Sequence, residues 1–367
     1  MAHVAFNRLH DVYQNSTVYL TFPCNRTKRF EHSIGTMKLC NDLFCSALWN
    51  TDKKVCKDFL ELYKKELVNI IVEIKTKRFK EYGLLLGGRV KKMNSEDLPR
   101  VCDKYAAFKL PSRELNDYYT TYFILLQAIR VSALLHDIGH PPFSHIAEYA
   151  MEDLRNQYKD SKENQRIIDF NEIMESFFKD TKKKLHERMG DTIVSIILED
   201  SIEPLTYECA NSDQEAYDMQ VIYILVKEVI QKIFSNEKSF DCFHRIIDGT
   251  LDGDRMDYVT RDPLNSGLNK GRIEYDRLCK GMIIALGEGG YWIAPCMKSL
   301  NTVEDFLNRR WELYKSIIFH HRVIKTDYLL QSAIQSIATD YLNGNIEEQQ
   351  QDNTDLLPAN ISGLWWR

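Results

Sequence analysis

Leu134-Leu135-His136-Asp137-Ile138-Gly139-His140 sets an imidazole directly beside a carboxylate at the end of an apolar run. A nitrogen and an oxygen donor so placed suit a divalent cation of hard or borderline character. Burying the pair costs on the order of several kcal/mol unless a cation or hydrogen bonds compensate. The chemistry this predicts is metal-dependent hydrolysis, with the remaining ligands drawn from elsewhere in the chain. Two other stretches carry suitable residues. One is Arg29-Phe30-Glu31-His32-Ser33; the other runs from Asp252-Gly253-Asp254-Arg255 through Tyr258 to Asp262.

Each stretch alone has a plainer explanation. His32 reads as a structural histidine, His136-Asp137 as a hydrogen-bonded pair at a helix end, and residues 252–262 as an acidic loop with capping aspartates. Their occurrence together, in this order, favours a shared centre. More histidines follow. His140 stands four residues after His136, His145 lies beyond a Pro141-Pro142 turn, and His186 precedes Glu187. Histidine titrates near pH ~6.5, which suits proton transfer at neutrality. His186-Glu187 reads equally well as a surface pair after the lysine run 182–184.

The segments from Arg8-Leu9 to Gln14, Phe22-Pro23, residues 29–35 (RFEHSIG), residues 136–145 (HDIGHPPFSH), His186-Glu187, Asp254 to Asp262 and Arg310 to His321 carry a resemblance. Through them the chain resembles the HD-domain phosphohydrolases, in the branch of deoxynucleoside triphosphate (dNTP) triphosphohydrolases. The resemblance implies that His32, His136, Asp137 and Asp254 ligate one divalent metal ion. Fe, Mn, Zn, Ni and Mg all suit such a set, and sequence does not choose among them. It implies attack of an activated water at the α-phosphate of a dNTP, giving deoxynucleoside and triphosphate. His145 would protonate the leaving 5′-oxygen, His140 and His186 would orient water and phosphates, and Glu148 and Glu187 would orient an imidazole. Arg29, Arg255 and Arg310 fall at phosphate-contact positions, Tyr258 and Asp262 at sugar-contact positions, and Gln14 where the 3′-hydroxyl is read. Tyr314 is a further substrate-side residue. Family practice also implies a homo-oligomer.

Departures from the pattern keep other substrates open. Ile318 stands where a tyrosine usually packs on the sugar, Tyr314 where a histidine is common, and Asn15 where leucine is usual. A nucleotidase, a phosphodiesterase on a cyclic or signalling nucleotide, and a guanosine tetraphosphate hydrolase would retain the metal and change the pocket. A low-turnover nucleotide sensor or nucleic-acid-binding module belongs to another class. Lysines around 75–80 and 182–184 motivate it, and a steep salt dependence would mark it.

Positioning these residues falls to helices. Phe59, Tyr63, Leu67, Ile70, Ile71 and Ile74 recur at three- and four-residue steps, predicting an amphipathic helix. Tyr122 to Leu135 is apolar nearly all round and predicts a buried one. Ile193 to Leu198, Val221 to Phe234 and Trp311 to His321 also suit helices. Val18 to Phe22 and Tyr291 to Ala294 read as short strands. The expected fold class is mostly α, an HD-domain helical core with small β elements and helical insertions. Residues 1–335 form that core, with peripheral insertions at 50–117 and 155–184. Residues 336–367 form a polar C-terminal tail, or the start of a C-terminal lobe.

The 367 residues are 44% hydrophobic, enough for a sizeable core. A net charge of −5 argues against a uniformly basic nucleic-acid-binding surface. The nine cysteines are scattered and form no C-x-x-C pair, which fits a reducing cytoplasm better than a disulfide framework. No signal core or membrane span is expected.

Overall fold

The computed structural model describes residues 3–78, 82, 96–101, 109–178, 183–200, 212–268, 273 and 275–345. The fold is mostly α. Its elements are α1 (Val4–Asn7), α2 (Arg29–Asn50), α3 (Lys53–Thr76), α4 (Tyr119–Leu135), α5 (His145–Tyr158), α6 (Gln165–Phe178), α7 (Leu185–Asp200), α8 (Asp213–Phe234), α9 (Asp241–Ile247), α10 (Gly253–Asn265), α11 (Tyr275–Lys280), β1 (Met282–Gly287), β2 (Gly290–Pro295), α12 (Leu300–Leu313) and α13 (His321–Leu342). β1 and β2 pair antiparallel, with Ala285 opposite Trp292. No described helix is long and apolar enough to cross a membrane.

Helix α4 is central because it is apolar on every face. Ile124, Leu125, Leu126, Ala128, Ile129 and Ala133 are all buried. It packs against α2 on one side and α8 on another, and α2 in turn carries α10. A second apolar cluster joins α5, α6 and the start of α7 to Leu342 at the end of α13.

Four expectations need correction. Helix α3 is not peripheral: Phe59, Leu60, Tyr63, Leu67 and Ile71 belong to the main core. Its lysines and glutamates occupy the solvent face only. Val18–Leu20 forms a 3₁₀ turn, and the nearest strand-like feature is a lone bridge between Tyr13 and Lys28. The run Trp311 to His321 is not one helix. It widens into a π turn at Tyr314–Ile318, and α13 restarts at His321. The boundary placed after residue 335 falls inside α13, which continues to Leu342. The glutamine-rich stretch from 346 onward and the terminal tryptophans lie outside the described residues.

Candidate functional site

Three helix ends converge to make the site. His32 sits in the first turn of α2, whose start is fixed by Glu31 accepting the Lys28 backbone N–H at 3.3 Å. His136 and Asp137 follow the last residue of α4, and Asp254 lies in the first turn of α10. His32 Nε2 is 2.9 Å from Asp254 Oδ1 and 3.5 Å from Asp137 Oδ2. His136 Nε2 is 3.6 Å from Asp254 Oδ1 and 3.6 Å from Asp137 Oδ1. All four expected ligands are therefore brought together.

The outer side of each imidazole is already committed. His32 Nδ1–H donates to Asp257 Oδ2 at 2.8 Å, and His136 Nδ1–H to the Ala133 carbonyl at 2.8 Å. In the neutral rings that fixes the tautomer and makes both inward Nε2 atoms lone pairs. Both are buried and neither makes a hydrogen bond. Lone pairs facing carboxylate oxygens repel, and a divalent cation between them satisfies all four groups, so the residues present fit a metal. Without a cation, burial opposes charging His32, yet Asp254 and Asp257 push its pKa up to about 10. A proton and a cation thus compete for the cluster.

Arg29 expects phosphate but meets protein. Its buried guanidinium donates to Asp137 and, at 3.2 and 2.9 Å, to Ser144 Oγ. Burial works against ionising Asp137, and Arg29 is the chief group that holds its pKa well below the usual carboxylate range.

A second group abuts the first through Asp137, whose Oδ1 is 3.4 Å from His140 Nε2. His140 stacks on His186 with ring centroids 4.0 Å apart, and His145 stands nearly perpendicular to His140 at 4.7 Å. Buried Glu148 takes the Nδ1–H of His145 at 3.1 Å and of His186 at 3.0 Å, and the His186 backbone N–H at 3.2 Å. Burial would raise the Glu148 pKa, but the hydrogen bonds from His145 and His186 hold it low. Glu187 does not share this role. Its carboxylate accepts the Lys184 backbone N–H at 3.3 Å and caps α7. Neighbours on a helix point about 100° apart, so Glu187 cannot follow His186 into the site.

The substrate-side residues divide. Arg310 Nε donates to the Tyr258 hydroxyl at 3.3 Å, and its guanidinium lies 5.6 Å from the Tyr314 ring centroid. These three meet as expected. Arg255 instead turns to Asp252 and, at 3.2 Å, to Asp248. Asp262 is buried with Oδ1 unpartnered, and burial raises its pKa to about 7. Gln14 Oε1 is likewise buried and unpartnered.

Several supporting residues were not singled out from sequence. Asp257 orients His32 and is itself held by Arg261 at 2.8 and 2.7 Å. Its spacing of three from Asp254 puts both on one helix face, a signal that was available. Gly35 is needed there, since a Cβ would fall 1.9 Å from Asp257 Oδ1. Arg8 donates to the Ile138 and, at 2.7 Å, the His140 carbonyl, tying down the loop after α4. Nothing local in the sequence marks that contact.

Residues 112–228 match the HD domain family, a span that holds His136 and Asp137. The Methanocaldococcus jannaschii protein MJ1154, itself uncharacterised, is 22% identical over 351 residues, covering 96% of this chain and 46% of that protein. The uncharacterised protein YwfO of Bacillus subtilis is 25% identical over 194 residues, covering 52% of this chain and 32% of its own. The chain thus spans about half the length, or less, of these curated relatives. A phosphohydrolase of Bacteroides thetaiotaomicron, BT4208, superposes with a TM-score of 0.53 at 17% identity, over 96% of this chain and 57% of that one. That likeness establishes a shared fold.

Proposed function

We propose that the protein is a metal-dependent phosphohydrolase of the HD-domain kind, acting on a dNTP and releasing triphosphate. One observation carries the reading. Two buried imidazole Nε2 atoms, neither with a hydrogen-bond partner, and two carboxylates face one another. His32, His136, Asp137 and Asp254 would hold the cation. When bound, it supplies charge to offset phosphate and lowers the pKa of a nearby water.

The chain's own residues do the rest. Arg310 offers a guanidinium to the phosphates from between Tyr258 and Tyr314. Gln14 Oε1 and Asp262 Oδ1 are unfilled acceptors for sugar hydroxyls. His145 would pass a proton to the leaving oxygen, and His140 and His186, packed against it, would orient the water and the phosphates. In balance, the water oxygen bonds to the α-phosphorus and the bond from phosphorus to O5′ breaks. One water proton ends on O5′, yielding deoxynucleoside and triphosphate.

Incubating the pure protein with each dNTP and Mn²⁺ tests this. Triphosphate and deoxynucleoside in equal amounts support it; orthophosphate or pyrophosphate as the inorganic product rules it out. One observation favours a neighbouring reading, another nucleotide phosphoester handled by the same centre. Ile318 lies in the π turn, at the position where the resemblance leads one to expect a tyrosine against the sugar. Cyclic nucleotides and guanosine tetraphosphate belong in the same panel for that reason.

A further inference from the structure

We propose that Phe319, presented by the π turn, is the platform on which the base of the nucleotide stacks, so that the site holds the base by its face and accepts purines and pyrimidines alike. This rests on the reading of a dNTP hydrolase given above and adds to it the means by which the base is held.

The turn decides which side chain is offered. Five residues apart on an α-helix, Tyr314 and Phe319 would point about 140° from one another, at about 100° per residue. The π turn closes over that same span. The Phe319 N–H donates to the Tyr314 carbonyl at 2.8 Å, and the two rings meet edge to face with centroids 5.6 Å apart. The residues just before it turn inward: Ile317 is buried and Ile318 packs against the main core. Phe319 is left 61% exposed, with its ring set beside Tyr314. π turns inside helices occur frequently at functional sites.

The surroundings put this ring at the far end of the pocket from the metal cluster. Tyr258 stands one helical turn after Asp254, and Asp262 one turn after Tyr258, so the three mark a line along α10. The Tyr258 hydroxyl accepts from Arg310, the Arg310 guanidinium lies against the Tyr314 ring, and that ring lies against Phe319. The loop that carries Gln14 reaches the same place from another side. Its Phe22 meets His320 edge-on at 5.6 Å, and its Thr17 hydroxyl donates to Asp327 of α13 at 2.5 Å. A nucleotide with its phosphates at Arg310 and its sugar at Gln14 and Asp262 directs its base to where that loop and the π turn meet, and Phe319 stands there. An aromatic face reads no hydrogen-bonding edge, so it holds every base by stacking.

The test compares dATP with 2′-deoxyribose 5′-triphosphate, the same molecule without its base, on the full chain with Mn²⁺. The quantity read is the ratio of kcat/KM for the two. Taken on one preparation, this ratio does not depend on how much of the protein is folded. Wild type should favour dATP by at least about tenfold, with dCTP, dGTP and dTTP within about tenfold of dATP. Phe319→Ala should cut the preference for dATP over the base-less triphosphate to about twofold, and Phe319→Tyr should keep it. A ratio unchanged in Phe319→Ala, or lost equally in Phe319→Tyr, overturns the platform and leaves the hydrolase standing. So does a preference of about a hundredfold or more for one base, which calls for hydrogen bonds to a base edge. A wild type that hydrolyses no dNTP sinks the reading beneath, and the platform falls with it.

Discussion

Asp257 need not touch a cation to control one. Its carboxylate holds the His32 ring from behind while Arg261 holds the carboxylate, so removing it frees the imidazole to turn. Asp257→Ala is expected to weaken Mn²⁺ binding about 10- to 100-fold with the helix content retained. Titration calorimetry on both proteins measures it, and equal affinities would show that the ring is fixed by other means. Asp262 gives a prediction in pH. Burial raises its pKa from 3.8 to about 7, against a weaker opposite pull from Asn15. An acid raised in the fold keeps its proton better folded than unfolded. Its contribution to stability therefore falls as pH climbs from about 4 to about 7 and is level beyond. Asp262→Asn removes that fall. The variant should gain on wild type, by up to a few kcal/mol, between pH 4 and pH 8. Urea unfolding at the two pH values gives the comparison, and a constant offset between the proteins would refute it.

At the scale of elements, the site depends on how closely helix ends approach. The loop leaving α4 touches α7 through Gly139, where a Cβ would lie 1.9 Å from the His186 carbonyl oxygen and 2.3 Å from the Gly190 nitrogen. Both are backbone atoms, so neither can swing aside. Gly139→Ala is expected to cost about 1–3 kcal/mol of stability and to push His186 away from His140. Thermal unfolding tests the first effect. The second should appear as loss of hydrolysis greater than the unfolded fraction explains. The apolar pattern made α3, α4 and α8 readable, because burial of a stripe is what a 3.6-residue period encodes. The pattern was blind to other things. The lysines and glutamates of α3 suggested a peripheral helix, although its apolar stripe lies in the main core. The π turn at Tyr314–Ile318 keeps the residue types of a helix while altering its hydrogen bonds. Val18–Leu20 has strand-like residues but meets no strand to pair with among the described residues. Glu148 reaches His186 across 38 positions of sequence, whereas Glu187, expected to share the task of orienting an imidazole, caps α7 instead.

Across the whole molecule, the ligand-bearing ends of α2, α4 and α10 come from residues 32, 136–137 and 254. A cation that binds only when these ends are assembled stabilises the fold by mass action. Mn²⁺ at about a hundred times its Kd should add about 2.7 kcal/mol, and a chelator should take it away. Paired thermal melts of wild type and Asp254→Asn check this. The variant should respond less than wild type to both additions, and a wild type that ignores them would mean that nothing is tied together there. The ligands were legible because each lies in a compact local motif. The way they are brought together was not, since it depends on packing between helices far apart in the chain.

Phe143 and Ser144 both take left-handed backbone angles, with φ of 63° and 54°. Residues other than glycine pay about 1–3 kcal/mol each for that posture. Ser144 is kept in it by accepting from Arg29 and donating to the Tyr13 carbonyl at 3.1 Å. The corner just ahead of His145 is therefore wound tight against the molecule's own interest in staying folded. Breeding this protein for heat tolerance alone would tend to unwind it, by admitting glycine at 143. The survivors would be sturdier and more sluggish, with the slack entering two residues from the imidazole that must hold still.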